Sequence, residues 1–132
     1  MCGGIMSDLN SLLTVFKAAA DPTRLRILKM LLIKPLCVCE VMHVLNMAQS
    51  TASQHLKILL AVGFVEASSG GTWTVYQIAK KPAPLIASLL NAIRDVPETD
   101  MLKKDAALAR KVDRNRICLQ KMKRRHLKRG VA

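Results

Sequence analysis

A chain of 132 residues is long enough for one compact domain and too short for two of ordinary size. Half of it is apolar but only 3% is aromatic, so a core must be packed from Leu, Ile, Val, Met and Ala, which favours helices. The net charge of +12 suits a polyanionic partner, double-stranded DNA ahead of an anionic membrane surface, and no apolar run approaches the roughly 20 residues that a bilayer crossing needs.

The charge is uneven: residues 1–92 hold 8 Lys/Arg against 4 Asp/Glu, and residues 93–132 hold 13 against 5. Met1 to Met6 lacks the basic start and long apolar segment of a secretory signal, so the sequence predicts a cytoplasmic protein whose four cysteines are reduced. Metal binding or redox sensing then fits them better than a structural disulfide framework.

Residues 1–6 read as a flexible amino arm. Leu9, Leu12, Leu13, Phe16 and Ala20 fall on one stripe of a first helix beginning near Ser7 or Asp8. Asp21 followed by Pro22 starts a second, because the carboxylate accepts from free backbone amides while proline occupies the first turn without losing a bond. That helix runs to about Ile33, where Lys34 and Pro35 end it. Leu36 to Cys39 reads as an extended link into a third helix, roughly Glu40 to Leu45.

Asn46, Met47 and Ala48 make a tight turn, and Gln49 to Ala61 a fourth helix with two faces. Ala52, Leu56, Leu59 and Leu60 line one; Ser50, Ser53, Gln54 and Lys57 repeat along another. A solvated face usually mixes Glu with Lys. A stripe of Ser, Gln and Lys instead suits a surface that reads bases and touches phosphates.

Gly63 caps that helix, Phe64 to Ala67 reads as a strand, Ser68 to Gly71 as its turn, and Thr72 to Ile78 as the returning strand. The fold class is therefore mainly α with a small β-hairpin, a winged helix-turn-helix. Leu85, Ile86, Leu89, Leu90 and Ile93 give a further helix so apolar that it either packs within the monomer or, with the first helix, forms a twofold homodimer. Residues 7–96 are read as the DNA-binding and dimerisation domain and 97–132 as a basic carboxyl-terminal helical extension. Its pattern through Leu102, Leu108 and Val112 shows no convincing core face.

From Phe16 to Tyr76, about half the chain, the sequence resembles the ArsR-type metal-sensing repressors, of the arsenic-sensing kind. The resemblance is carried by Asp21-Pro22-Thr23-Arg24-Leu25, by Leu36-Cys37-Val38-Cys39-Glu40, by the run STASQHLK at Ser50 to Lys57, and by Gly71 to Tyr76. It implies a homodimeric winged-helix transcriptional repressor that leaves its operator when an inducer binds cysteine thiolates. Two departures stand in the reading helix. Ala48 replaces a frequent capping Ser, so the helix starts less firmly or uses Ser50, and Gln54 stands where a basic residue is common.

The resemblance makes Cys37 and Cys39 metal ligands. On a regular helix, residues two apart point about 200° from each other, so the backbone between these two must be non-helical; in a strand they share a face. Where many arsenic-sensing relatives have a further cysteine this chain has Met42, and a thioether is a weaker donor than a thiolate. The third sulfur is then Cys118, from the same chain or across the dimer, with Cys2 the alternative. Arsenite or antimonite is the implied inducer, with cadmium or lead also open. The C-terminal helix lacks the Asp and His pairs of zinc-sensing relatives.

Gln49, Ser50, Thr51, Ser53 and Gln54 are the base-reading candidates, Lys57 is a phosphate contact, and His55 either touches phosphate or packs beneath it, with two reading helices about 34 Å apart on near-palindromic DNA. His43 is read as structural. An alternative keeps the DNA binding and makes the cysteines a redox switch, through a disulfide from Cys37 or Cys39 to Cys118. With no helix-opening CxxC pair and no evident general base, the chain is not read as an enzyme.

Overall fold

The computed structural model describes residues 8–70, 73–113 and 116–117. Six helices and a small antiparallel sheet follow in the order α1 (Leu9–Ala19), α2 (Pro22–Leu31), β1 (Leu36–Cys37), α3 (Val38–Leu45), α4 (Gln49–Val62), β2 (Val65–Gly70), β3 (Trp73–Ile78), α5 (Pro84–Asp95) and α6 (Asp100–Lys111). The winged helix-turn-helix expected from the sequence is present.

Local chemistry sets the boundaries. Asp8 accepts from the Ser11 amide at 2.7 Å and Asp21 from the Arg24 amide at 3.0 Å, so each satisfies a donor that a helix start leaves unpaired. Asn46 ends α3 in the left-handed region at φ 51°, a conformation Asn tolerates better than most residues, and Gly63 ends α4 at φ 89°. The turn between them delivers α4 across α3.

The sheet has the order β1-β3-β2. Leu36 and Cys37 pair with Tyr76 and Val75, while β2 and β3 form the hairpin from Val65↔Ile78 to Gly70↔Trp73. The strand thus starts at Val65, not Phe64, and extends through Ser68, Ser69 and Gly70, which the sequence assigns to the turn; residues 71 and 72 between the strands lie outside the described residues.

Phe64, Ile27, Leu28, Leu36, Leu56 and Leu59 are fully buried at the centre of the core. Each such side chain contributes about 1.5–3 kcal/mol relative to exposure. In α1 the inward residues are Val15 and Ala18, while Leu9, Leu13 and Phe16 stand 44% or more exposed. The apolar stripe seen in the sequence is therefore largely an outer face. Helix α5 turns Ile86, Leu90 and Ile93 into the core.

The third helix corrects an expectation. It begins at Val38, not Glu40, so the extended segment ends at Cys37 and Cys39 sits in the first helical turn. The cause is a reciprocal capping box: the Glu40 carboxylate accepts the Cys37 amide at 3.0 Å, which fixes the helix start two residues early.

Helix α6 corrects another. It has a core face, built from Ala106 and Ala109 with Val112 just beyond its end, whereas Leu108 faces outward. Small residues let α6 lie close against α2 and α3, an arrangement that a search for large apolar side chains does not detect. Polar ties hold it there: Arg26 binds Asp105 through two bonds of 2.7 and 2.9 Å, and Lys34 Nζ donates to the Val112 carbonyl at 2.8 Å.

Candidate nucleic-acid interface and cysteine site

Helix α4 keeps Ala52, Leu56, Leu59 and Val62 in the core, and this fixes what its other sides present. Gln49, Ser50, Thr51, Gln54 and Lys57 are exposed, and Ser53 is partly so. Ser50, Ser53, Gln54, Lys57, Ile58 and Ala61 line an open groove along its outer side. All five residues expected to read bases therefore have access to an approaching duplex, as does Lys57. Ala48 is the N-cap and provides no side-chain hydrogen bond, and Ser50 does not replace it.

His55 occupies a different side of α4. It is partly buried, and its Nδ1 lies 3.2 Å from Nη1 of Arg24 in α2. Arg24 also donates to the carbonyls of Ala18 at 2.7 Å and Lys17 at 3.0 Å, which lie in the last turn of α1 where carbonyls lack helical partners. The same residue gives its amide to Asp21, which, with the nearby guanidinium charge, holds that carboxyl below its ordinary range. Sequence reasoning missed Arg24. Its partners lie in α1 and α4, outside its own helix, so no local pattern around Asp21-Pro22 signals the role. His43 is exposed, contrary to the structural role expected of it, and His126 lies outside the described residues.

The cysteine pair sits at the junction of β1 and α3. Cys37 is 2% exposed, Cys39 is partly exposed, and both are free thiols. The expectation that one extended strand puts both sulfurs on a shared face does not hold. Cys37 has strand-like angles (φ −89°, ψ 168°), whereas Cys39 is already helical. The 200° divergence of a continuous helix does not apply either, because the N-cap residue lies outside the helical φ/ψ range.

Burial pushes the Cys37 thiol up to about 11, with the negative charge of Glu40 adding to the rise and the Glu40 amide opposing it. Cys37 is therefore protonated at neutral pH. Met42 is partly buried against the core. Among the described residues no group of three or more His, Cys, Asp or Glu side chains could hold a metal ion. Cys2 and Cys118 lie outside those residues.

Residues 21–67, which span α2 through the first half of β2, match the family model described as bacterial regulatory protein, arsR family. An uncharacterised HTH-type transcriptional regulator of Methanocaldococcus jannaschii is 41% identical over 80 residues, covering 60% of this chain and 90% of that one. An arsenic resistance transcriptional regulator, ArsR1, of Pseudomonas putida is 30% identical over 105 residues, covering 79% of this chain and 81% of its own. The chain belongs to the ArsR family.

Among solved structures, the homodimeric winged helix-turn-helix domain of a possible ArsR-family regulator from Mycobacterium bovis superposes with a TM-score of 0.58. It is 33% identical, covering 67% of this chain and 79% of that one. Other relatives are named for arsenical resistance and for cadmium resistance. As an ArsR-family member this chain is a DNA-binding transcriptional repressor and not an enzyme. No helix of the described residues is long and apolar enough to cross a membrane.

Proposed function

We propose that the chain is a homodimeric repressor that holds a near-palindromic operator and lets go when arsenite or antimonite binds Cys37, Cys39 and Cys118. The observation that carries this is the position of Cys37: it is at once the end of β1, the N-cap of α3 and a partner in the capping box with Glu40. A ligand that draws its sulfur away disturbs the start of the first helix of the motif, and α3 packs directly on the reading helix. Near-complete switching needs about 5.5 kcal/mol of differential affinity between the two states. By linkage, DNA weakens inducer binding by the same factor.

A buried, protonated thiol favours arsenous acid over a divalent cation. In the condensation As(OH)3 + 3 RSH → As(SR)3 + 3 H2O, each thiol proton leaves on a hydroxyl as water, and the product is neutral. Cadmium or lead must instead expel protons to solvent, a cost that grows with thiol pKa. The same protonation weighs against the redox alternative, since the thiolate is the species that oxidises readily.

Two contacts among the described residues favour Cys118 of the same chain as third donor. Lys34, three residues before Cys37, holds the Val112 carbonyl, and Ile117 packs on the core immediately before Cys118. Cys2 remains the alternative ligand. Dimerisation is supported by the outward Leu9, Leu13 and Phe16 of α1 and by the homodimeric neighbour. In this assembly residues 7–96 supply DNA binding and pairing, and α6, at the start of the extension from residue 97, packs on α2 and α3.

The test is a gel-shift on duplexes selected by the protein from a random pool, with arsenite, antimonite, cadmium, lead, zinc and peroxide added separately. Release by arsenite or antimonite at the lowest concentrations supports the proposal. Release by peroxide alone in metal-free buffer, with no response to the trivalent ions, replaces it with the redox switch.

A further inference from the structure

Helix ends leave backbone carbonyls without partners, and a guanidinium has five N–H donors and no acceptor. Arg24 joins these two facts. Its Nε and Nη2 are committed to the carbonyls of Ala18 and Lys17, which orients the planar group and aims Nη1 at His55 Nδ1, 3.2 Å away. Because Arg24 can only donate, Nδ1 must accept. A neutral imidazole with a lone pair on Nδ1 carries its hydrogen on Nε2.

That hydrogen faces outward. Among the described residues Nε2 has no hydrogen-bond partner, yet none of their buried side-chain nitrogen or oxygen atoms lacks one. Nε2 therefore reaches solvent. At about 100° per residue, His55 lies on the flank of α4 beside Thr51, one turn earlier and exposed, and away from the outermost stripe of Ser50 and Lys57. A flank residue of a helix lying in the major groove meets the groove wall, where phosphates are.

We propose that Arg24 is a positioning residue for DNA binding, which locks His55 in the Nε2–H tautomer and so presents a neutral hydrogen-bond donor from the flank of α4 to a backbone phosphate. Arg24 also joins the end of α1, on the pairing side, to the reading helix, so the donor is set relative to the dimer. The role presupposes that α4 lies against DNA, and extends one of the two sequence-based readings of His55, as a phosphate contact, by naming what aims it.

Because a phosphate contact is independent of sequence, the test needs no known operator. Nitrogen-15 NMR of the wild-type protein reads the tautomer directly, and fluorescence anisotropy with a random-sequence duplex of about 30 base pairs, titrated across a salt series, reads affinity. Four proteins form a double-mutant cycle: wild type, R24K, H55N and R24K/H55N. R24K keeps the charge but loses the fork geometry. H55N keeps an acceptor near the Nδ1 position and removes the outward donor.

The proposal predicts an Nε2–H tautomer in the wild type and a mixture of tautomers in R24K. H55N should bind about tenfold more weakly with an unchanged salt slope, because a neutral donor releases no counterion. R24K should weaken binding in the His55 background and have no further effect in H55N. An Nδ1–H tautomer in the wild type, wild-type affinity in H55N, or an equal loss from R24K in both backgrounds would overturn it. If R24K does not fold, the wild-type tautomer and H55N still decide. Wild-type protein that binds no duplex at all would contradict the DNA-binding assignment itself.

Discussion

The amide of Cys37 donates to the carboxylate of Glu40 at 3.0 Å inside the protein, where Cys37 and Glu40 are each 2% exposed. A thiol and a carboxylate thus share one buried corner, and the thiol is held protonated, at about 11, chiefly by burial. The sign of the resulting pH dependence is set by what each inducer does with that proton. Cadmium must displace it to solvent, so cadmium affinity should rise between about pH 6 and 8 by about tenfold per pH unit for each proton released. Arsenous acid carries the proton off as water, so arsenite affinity should stay nearly flat over the same interval. Competition titrations at several pH values check both slopes, and parallel slopes would contradict the protonated-thiol account.

Glu40→Gln separates the charge from the cap. The amide oxygen of Gln still accepts from the Cys37 backbone, but the negative charge that raises the thiol is gone. The Cys37 pKa should fall, and alkylation by iodoacetamide should become faster at fixed pH, with little change in helix content. Rates no faster than wild type would show that burial alone sets the thiol.

Asp105→Ala breaks the tie between α6 and α2. The carboxylate is nearly buried (5% side-chain exposure) and meets a guanidinium 25% exposed, so Arg26 would be left partly desolvated and without its partner. Removing one member of a buried pair costs about 3–5 kcal/mol; with Arg26 partly wet, about 2–3 kcal/mol is expected. Urea denaturation measures it. A midpoint unchanged from wild type would mean that the Arg26–Asp105 pair adds nothing to the hold on α6.

Ala48→Ser should stabilise. The N-cap of α4 has extended angles (φ −66°, ψ 152°) and no side-chain bond, so a hydroxyl placed there can accept from an amide of the first turn. A gain of about 1 kcal/mol in urea is expected. No gain would show that the first-turn amides are already satisfied by water at no cost.

Much of this architecture is legible in the sequence because strong local signals coincide with tertiary ones. Asp21-Pro22 starts α2, Gly63 ends α4, and the period of Ala52, Leu56 and Leu59 assigns the inward side of the reading helix before any contact is known. The misreadings have a common physical origin: side chains acting outside their usual type. Cysteine is not an expected N-cap, so the spacing from Cys37 to Glu40 does not signal a capping box, and the sequence places the start of α3 two residues late. Ala106 and Ala109 bury little area each, so a core face made of them is invisible to a search for large apolar residues. The Arg24–His55 contact joins residues 31 positions apart, and no local pattern encodes it.

On the proposed mechanism, sulfur at positions 37 and 39 converts ligand binding into release of DNA. Arsenite titration of the DNA complex by gel-shift, with wild type, Cys37→Ser and Cys39→Ser, tests it most directly. The account predicts that each serine variant binds DNA about as tightly as wild type but stays bound at arsenite concentrations that free the wild-type protein completely. Release of the serine variants at the wild-type concentration would contradict it.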